Sequence, residues 1–262
     1  MNNLVMQTKR ALQAPAIALV LTTALGGCGG GDSGAATGSA IAHDAVTTAA
    51  VTSTQVVPPN GTFEGQTYAQ WETAFWQWAL ALPLGPLPHP FADCNNRPIS
   101  AGQSGNVWYW SSPDDVEVCN QSATIIPPGK TLFLSTLDVE ASSLDAAPFF
   151  ATTAAGQQAI AQQFANYIQN VFVIIDGNPV PNASTYRVAT GQFTFTAPSP
   201  WIFNTVGGTG TAVGDGYFFM LQLPPGSHTI RYGGTFNIPK GVLGHKAVTI
   251  NKDITLLVTI GS

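Results

Sequence analysis

Residues 59–262 predict a mainly β domain, an antiparallel β-sandwich of immunoglobulin-like or jelly-roll type with two accessory helices. Three observations carry that expectation. About nine short runs rich in Val, Ile, Thr, Phe and Tyr follow residue 106, divided by Gly, Pro, Asn and Asp, the residues of tight turns. "QFTFT" and "ITLLVTI" alternate partly between apolar and polar residues, as half-buried strands do. Only two segments show helical periodicity, too few for an α domain. Periodicity leaves the choice between the two sandwich topologies open.

The chain before residue 59 reads as targeting and tether. Lys9 and Arg10 are the only cations before Arg97, and the apolar run "ALQAPAIALVLTTAL" after them falls short of the roughly 20 residues a permanent membrane helix needs. It closes on Leu25-Gly26-Gly27-Cys28. This tetrapeptide resembles the lipobox of bacterial lipoproteins. The resemblance implies that residues 1–27 are a signal peptide and that Cys28 becomes an acylated, palmitate-bearing N-terminus. With Gly29 rather than Asp after the cysteine, it also implies the outer membrane of a Gram-negative envelope. Several acyl chains, at about 0.8 kcal/mol per buried methylene, would make such an anchor stable. Residues 28–58 hold no aromatic residue and are dominated by Gly, Ala, Ser and Thr, so they predict a disordered spacer of roughly 30 Å reach. His43 falls within it as a solvated residue.

The first helix is expected over 67–82, within "TYAQWETAFWQWALALP". Tyr68, Trp71, Phe75, Trp78, Ala79 and Leu82 share one face, with Gln70, Thr73 and Gln77 opposite. Thr67 suits the cap and Pro83 the stop. Trp76 lies about a quarter turn off that stripe, and "NVWYW" sets Trp108 and Trp110 on one side of a strand with Tyr109 on the other. Trp76, Trp108, Tyr109 and Trp110 are therefore the candidates for an exposed ring platform of the kind sugars stack on, although most of the aromatic set is expected in the core. Cys94 and Cys119, the cysteines left after the anchor, predict one disulfide, worth ~3 kcal/mol in the chain-entropy model. The second helix is expected over 153–171, on the stripe Ile160, Phe164, Tyr167, Ile168 and Val171.

"VIIDGNPV", "TYRVATGQFTF" and "LQLPPGSHTIRYGG" resemble the closing half of secreted bacterial β-sandwich domains. The whole order, a Trp-rich helix, a Cys pair, "PPGKTLFLS" and then this ending, is similar to a group of uncharacterised secreted bacterial β-sandwich proteins with a Trp-rich N-terminal helix. That group supplies no activity to carry over. Gly177 and Gly226 suit turns with positive φ.

Charge narrows the function. The chain has nine Lys and Arg against fourteen Asp and Glu; without Lys9 and Arg10 the balance is seven against fourteen, or −7. With no basic cluster, nucleic acid is excluded as a partner, and membrane contact is left to the lipid. The expected partners are that membrane and a polysaccharide or an envelope protein. "AGQSG" fails as a nucleophile elbow because Asn106 stands where its second glycine belongs. "GGTGTAVGDG" does not lead from strand into helix, and no metal-ligand spacing links His228 with His245, so no metal and no cofactor are expected. Lys130 reads as a solvated turn residue. Glu72 is the one weak catalytic candidate. A carboxyl among indoles loses hydration and gains basicity, and with Asp93, Asp138 or Glu140 it would form a two-carboxylate glycosidase pair. A backbone contact, or a pair with Arg97 or Lys130, is its structural alternative. The expectation is a lipid-anchored envelope protein of non-catalytic structural or binding role. A carbohydrate-active enzyme or glycan-binding module is the alternative, and assembly through sheet edges a third reading.

Overall fold

The computed structural model describes residues 55–262; residues 1–54, Cys28 and His43 among them, lie outside the described residues, whereas Gln55 and Val56, expected at the end of the disordered spacer, form a strand. The protein is mainly β, with antiparallel sheets and two helices in a sandwich arrangement. Strand β11, Gly208–Gln222, organises the first sheet. On one side it pairs with β6, Thr131–Ser142; on the other it takes in turn β10 (Phe193–Ala197), β9 (Arg187–Ala189) and β1 (Gln55–Val56). Strand β4, Val107–Trp110, closes this sheet beyond β6. The second sheet runs β5 (Val116–Ile126), β13 (Val248–Ile260), β12 (Gly226–Ile238), β7 (Ile168–Ile175) and β8 (Asn178–Pro179). Two pairings depart from the antiparallel expectation: β4 with β6 and β5 with β13 are parallel. Consecutive β4 and β5 lie in different sheets, which couples the two layers directly.

Turn chemistry follows the sequence. Asp176 and Gly177 between β7 and β8 have φ of 50° and 81°, and Gly226 opens β12 at 135°. A small hairpin, β2 (Thr62–Phe63) with β3 (Gln66–Thr67), leads into helix α1, Tyr68–Ala81. Thr67 and Gln70 form a reciprocal capping box there. Helix α2 is Ala154–Ala165 and stops well before residue 171. Ile168 and Val171 belong to β7, so their helical spacing was a coincidence of β-branched residues that the second sheet claims. Similarly, "HKAVTI" and "DITLLVTI" merge into the single strand β13.

One core cluster lies beneath α1, where Phe75 meets Phe133 and Phe218, the last two stacked at 5.3 Å. A second lies beneath α2, around Phe149, Phe164 and Phe236. Cys94 and Cys119 form the disulfide, with Cα atoms 5.3 Å apart.

Candidate functional site

Helix α1 seats on β9, β10 and β11 and buries a face rotated from the one the wheel gives: Tyr68, Trp71, Glu72, Phe75, Trp76, Ala79 and Leu80. Trp76 is therefore not an exposed ring. It packs edge-on against Phe75 and Phe91, because residues 83–103 cover the helix flank that solvent was expected to reach. Trp108 and Trp110 are buried as well, and Tyr109 is half-buried among Phe75, Trp78 and Phe133. Strand β4 lies at a sheet edge, yet both of its faces are covered. Of the four platform candidates, only Tyr109 keeps partial contact with solvent, and Trp78, assigned to the core stripe, is the half-buried helix tryptophan.

Glu72 is fully enclosed. Its Oε1 accepts a long 3.4 Å bond from Trp76 Nε1, and its Oε2 has no donor. Gly214 makes this possible: a Cβ there would stand 2.2 Å from Trp76 Nε1 and 2.7 Å from Glu72 Oε1. The helix can approach β11 this closely only over a residue without a side chain. Burial first, and then the negative charges of Asp215 and Asp138, hold the Glu72 carboxyl well above the usual carboxylate range.

Of its proposed partners, Glu140 is also interior and Asp138 is half-buried. Asp138 accepts from Ser135 Oγ at 2.7 Å and has one oxygen without a donor; burial pushes it up to about 7. Glu140 is enclosed with no donor for either oxygen, and what it meets is the carboxyl of Asp145. Two carboxyls can hydrogen-bond only by holding a proton, and burial raises both, Asp145 to about 6. Asp93 lies apart, on the loop before the disulfide, with Asn95 and Asn96. Arg97 is buried with Nη1 on the Pro88 carbonyl, and Lys130 Nζ donates to the Gly105 carbonyl, so neither pairs with Glu72. Asp215, which sequence reasoning did not single out, holds Arg187 in a two-point pair at 2.7 and 2.8 Å.

His228 ties the β7–β8 turn to β12: its ring nitrogens lie 2.7 Å from Asp176 Oδ2 and from the Pro224 carbonyl. His89 is buried with Nε2 on the Ala79 carbonyl and Nδ1 accepting from the Phe91 amide, so the neutral ring satisfies both contacts, and burial lowers it to about 4. Among the described residues, Cys94, Glu117 and Cys119 bring three donor atoms within 4.8 Å, but both sulfurs are spent in the disulfide. "GGTGTAVGDG" forms the first half of β11. A groove of about 470 Å³ opens elsewhere, between β1 and the β7–β8 turn, lined by Val56, Ile175, Asp176, Pro179, Val180 and Tyr186.

No protein-family model, curated protein or solved structure matches the chain.

Proposed function

We propose that this chain is a lipid-anchored protein of the bacterial cell envelope, held at the outer membrane through acylated Cys28, with a folded domain of structural or binding role rather than catalytic one. The observation that carries the non-catalytic half is the enclosure of Glu72 between α1 and Gly214. A general acid must reach its substrate within hydrogen-bond distance, and no surface leads to this carboxyl. The tryptophans that would hold a sugar are spent on the core. The anchoring half rests on the Leu25-Gly26-Gly27-Cys28 segment and the spacer behind it. Among the described residues no helix is long and apolar enough to cross a membrane.

Full-length protein expressed in a Gram-negative host with an alkyne fatty acid tests the anchor. The label should enter the protein, sediment with outer membranes, and vanish in Cys28→Ala; an unlabelled or freely soluble wild-type product would sink the reading. The alternative of a glycan-active enzyme draws support from the raised Glu72 carboxyl with acids around it. Turnover of any polysaccharide by wild type, lost in a folded Glu72→Gln variant, would establish that alternative instead.

A further inference from the structure

Lys252 is the one lysine of the described residues that is buried, and it lies inside the sandwich. On β13 it occupies the inward register of Ile250, Ile254 and Leu256. Its Nζ stands 3.2 Å from Asp114 Oδ1 and 3.3 Å from the Ser112 carbonyl, over the ring of buried Tyr232 at 5.7 Å. The two side chains are 1% and 8% exposed. Asp114 lies two residues before β5, the parallel neighbour of β13, and the backbone locks the pair in register: Asp253 pairs with Val116, and its amide donates to the Asp115 carbonyl. An amine and a carboxyl are thus held in contact, both buried, beside the ring of Tyr232.

We propose that Lys252 and Asp114 are an intramolecular isopeptide site, where the Lys252 Nζ and the Asp114 Cγ condense to an amide and join β13 covalently to the start of β5. The step balances without an external reagent. The ammonium passes one proton to the carboxylate it touches, and the freed amine attacks Cγ, forming the C–N bond. The nitrogen then gives up a second proton, the C–O bond breaks, and the oxygen leaves as water. Ammonium and carboxylate go in; amide and water come out. Hydration normally protects such an ion pair from condensing, and this enclosure removes it from both ions. Holding the amine and the carboxyl in contact makes the condensation intramolecular and so raises their effective concentration.

The test is a peptide map of the full-length protein, denatured, reduced and digested with chymotrypsin. The expected result is one branched peptide that contains both Asp114 and Lys252 and weighs one water less than its two components. It should be absent from Lys252→Arg and Asp114→Ala. Recovery of the two wild-type peptides separately, at unmodified mass, would show a plain ion pair and overturn the proposal, whether or not the variants fold.

Discussion

At the scale of single residues, the unusual expense of this fold is carboxyl groups kept in the dark. Glu72 and Glu140 are enclosed and Asp138 is half-buried, and each has a buried oxygen that no donor reaches. A buried carboxylate without compensation is costly, so the physical resolution is a proton rather than a charge. Glu72→Gln supplies the neutral shape permanently. The variant is expected to fold and to melt at pH 8 no lower than wild type, with a shallower fall in Tm between pH 6 and 8. A large loss of Tm at every pH would mean that Glu72 works as an anion. Some of this was legible: indoles on both sides of Glu72 announce a dry environment. Full enclosure was not, because it depends on Gly214 in a strand far along the chain. Lys252 left a readable trace, since alternation in "INKDITLLV" puts it on the face of Ile250, Ile254 and Leu256. Its partner Asp114 sits outside any periodic run and left none.

Between elements, contacts are set by small devices rather than by area. Helix α1 sits on β11 through the bare backbone of Gly214, and Gly214→Ala would thrust a methyl into Trp76 and Glu72. The expected loss is about 1–3 kcal/mol, the usual range for overpacking, read as a lower denaturant midpoint at unchanged slope. A midpoint equal to wild type would show that the helix can ride outward freely. Edge strand β5 is guarded differently. Asn95 Nδ2 donates to the Val118 carbonyl at 3.0 Å while its Oδ1 accepts from the Asn120 amide at 2.8 Å. One side-chain amide thereby imitates a neighbouring strand, pinned in place by the Cys94–Cys119 bond beside it. Val116, Val118 and Ile125 on the same strand are exposed, so an open edge here would invite pairing with other chains. Asn95→Ala should cost about 1–2 kcal/mol and raise the aggregating fraction on heating. Light scattering indistinguishable from wild type would remove Asn95 from that role.

Over the whole molecule, strand alternation and turn residues sufficed to read a β-sandwich, because most strands bury one face and declare it every second residue. What they could not convey was β1, β2, β3 and β8, each two residues long, or the parallel pairings, which no local pattern encodes. The interior acids add a property of the molecule as a whole, the sign of its pH dependence. A carboxyl raised on folding binds more protons folded than unfolded between its two pKa values, so its stabilisation is complete below the unfolded value and is lost as pH climbs through the folded one. For Asp138 that window runs from 3.8 to about 7, and for Asp145 from 3.8 to about 6; Glu72 and Glu140 act in the same direction. Buried His89 opposes them. Lowered from 6.5 to about 4, it costs stability as pH falls through that interval. Below pH 6.5 the two effects compete; above it the imidazole is progressively neutral in the unfolded chain as well, and the acids dominate. Stability should therefore fall from pH 6.5 to 8, by about 2–4 °C in Tm for each kcal/mol lost, as read by calorimetry at constant ionic strength. A Tm that rises over that interval would mean that the enclosed carboxyls are ionised, with cations or water reaching them that the packed interior does not reveal.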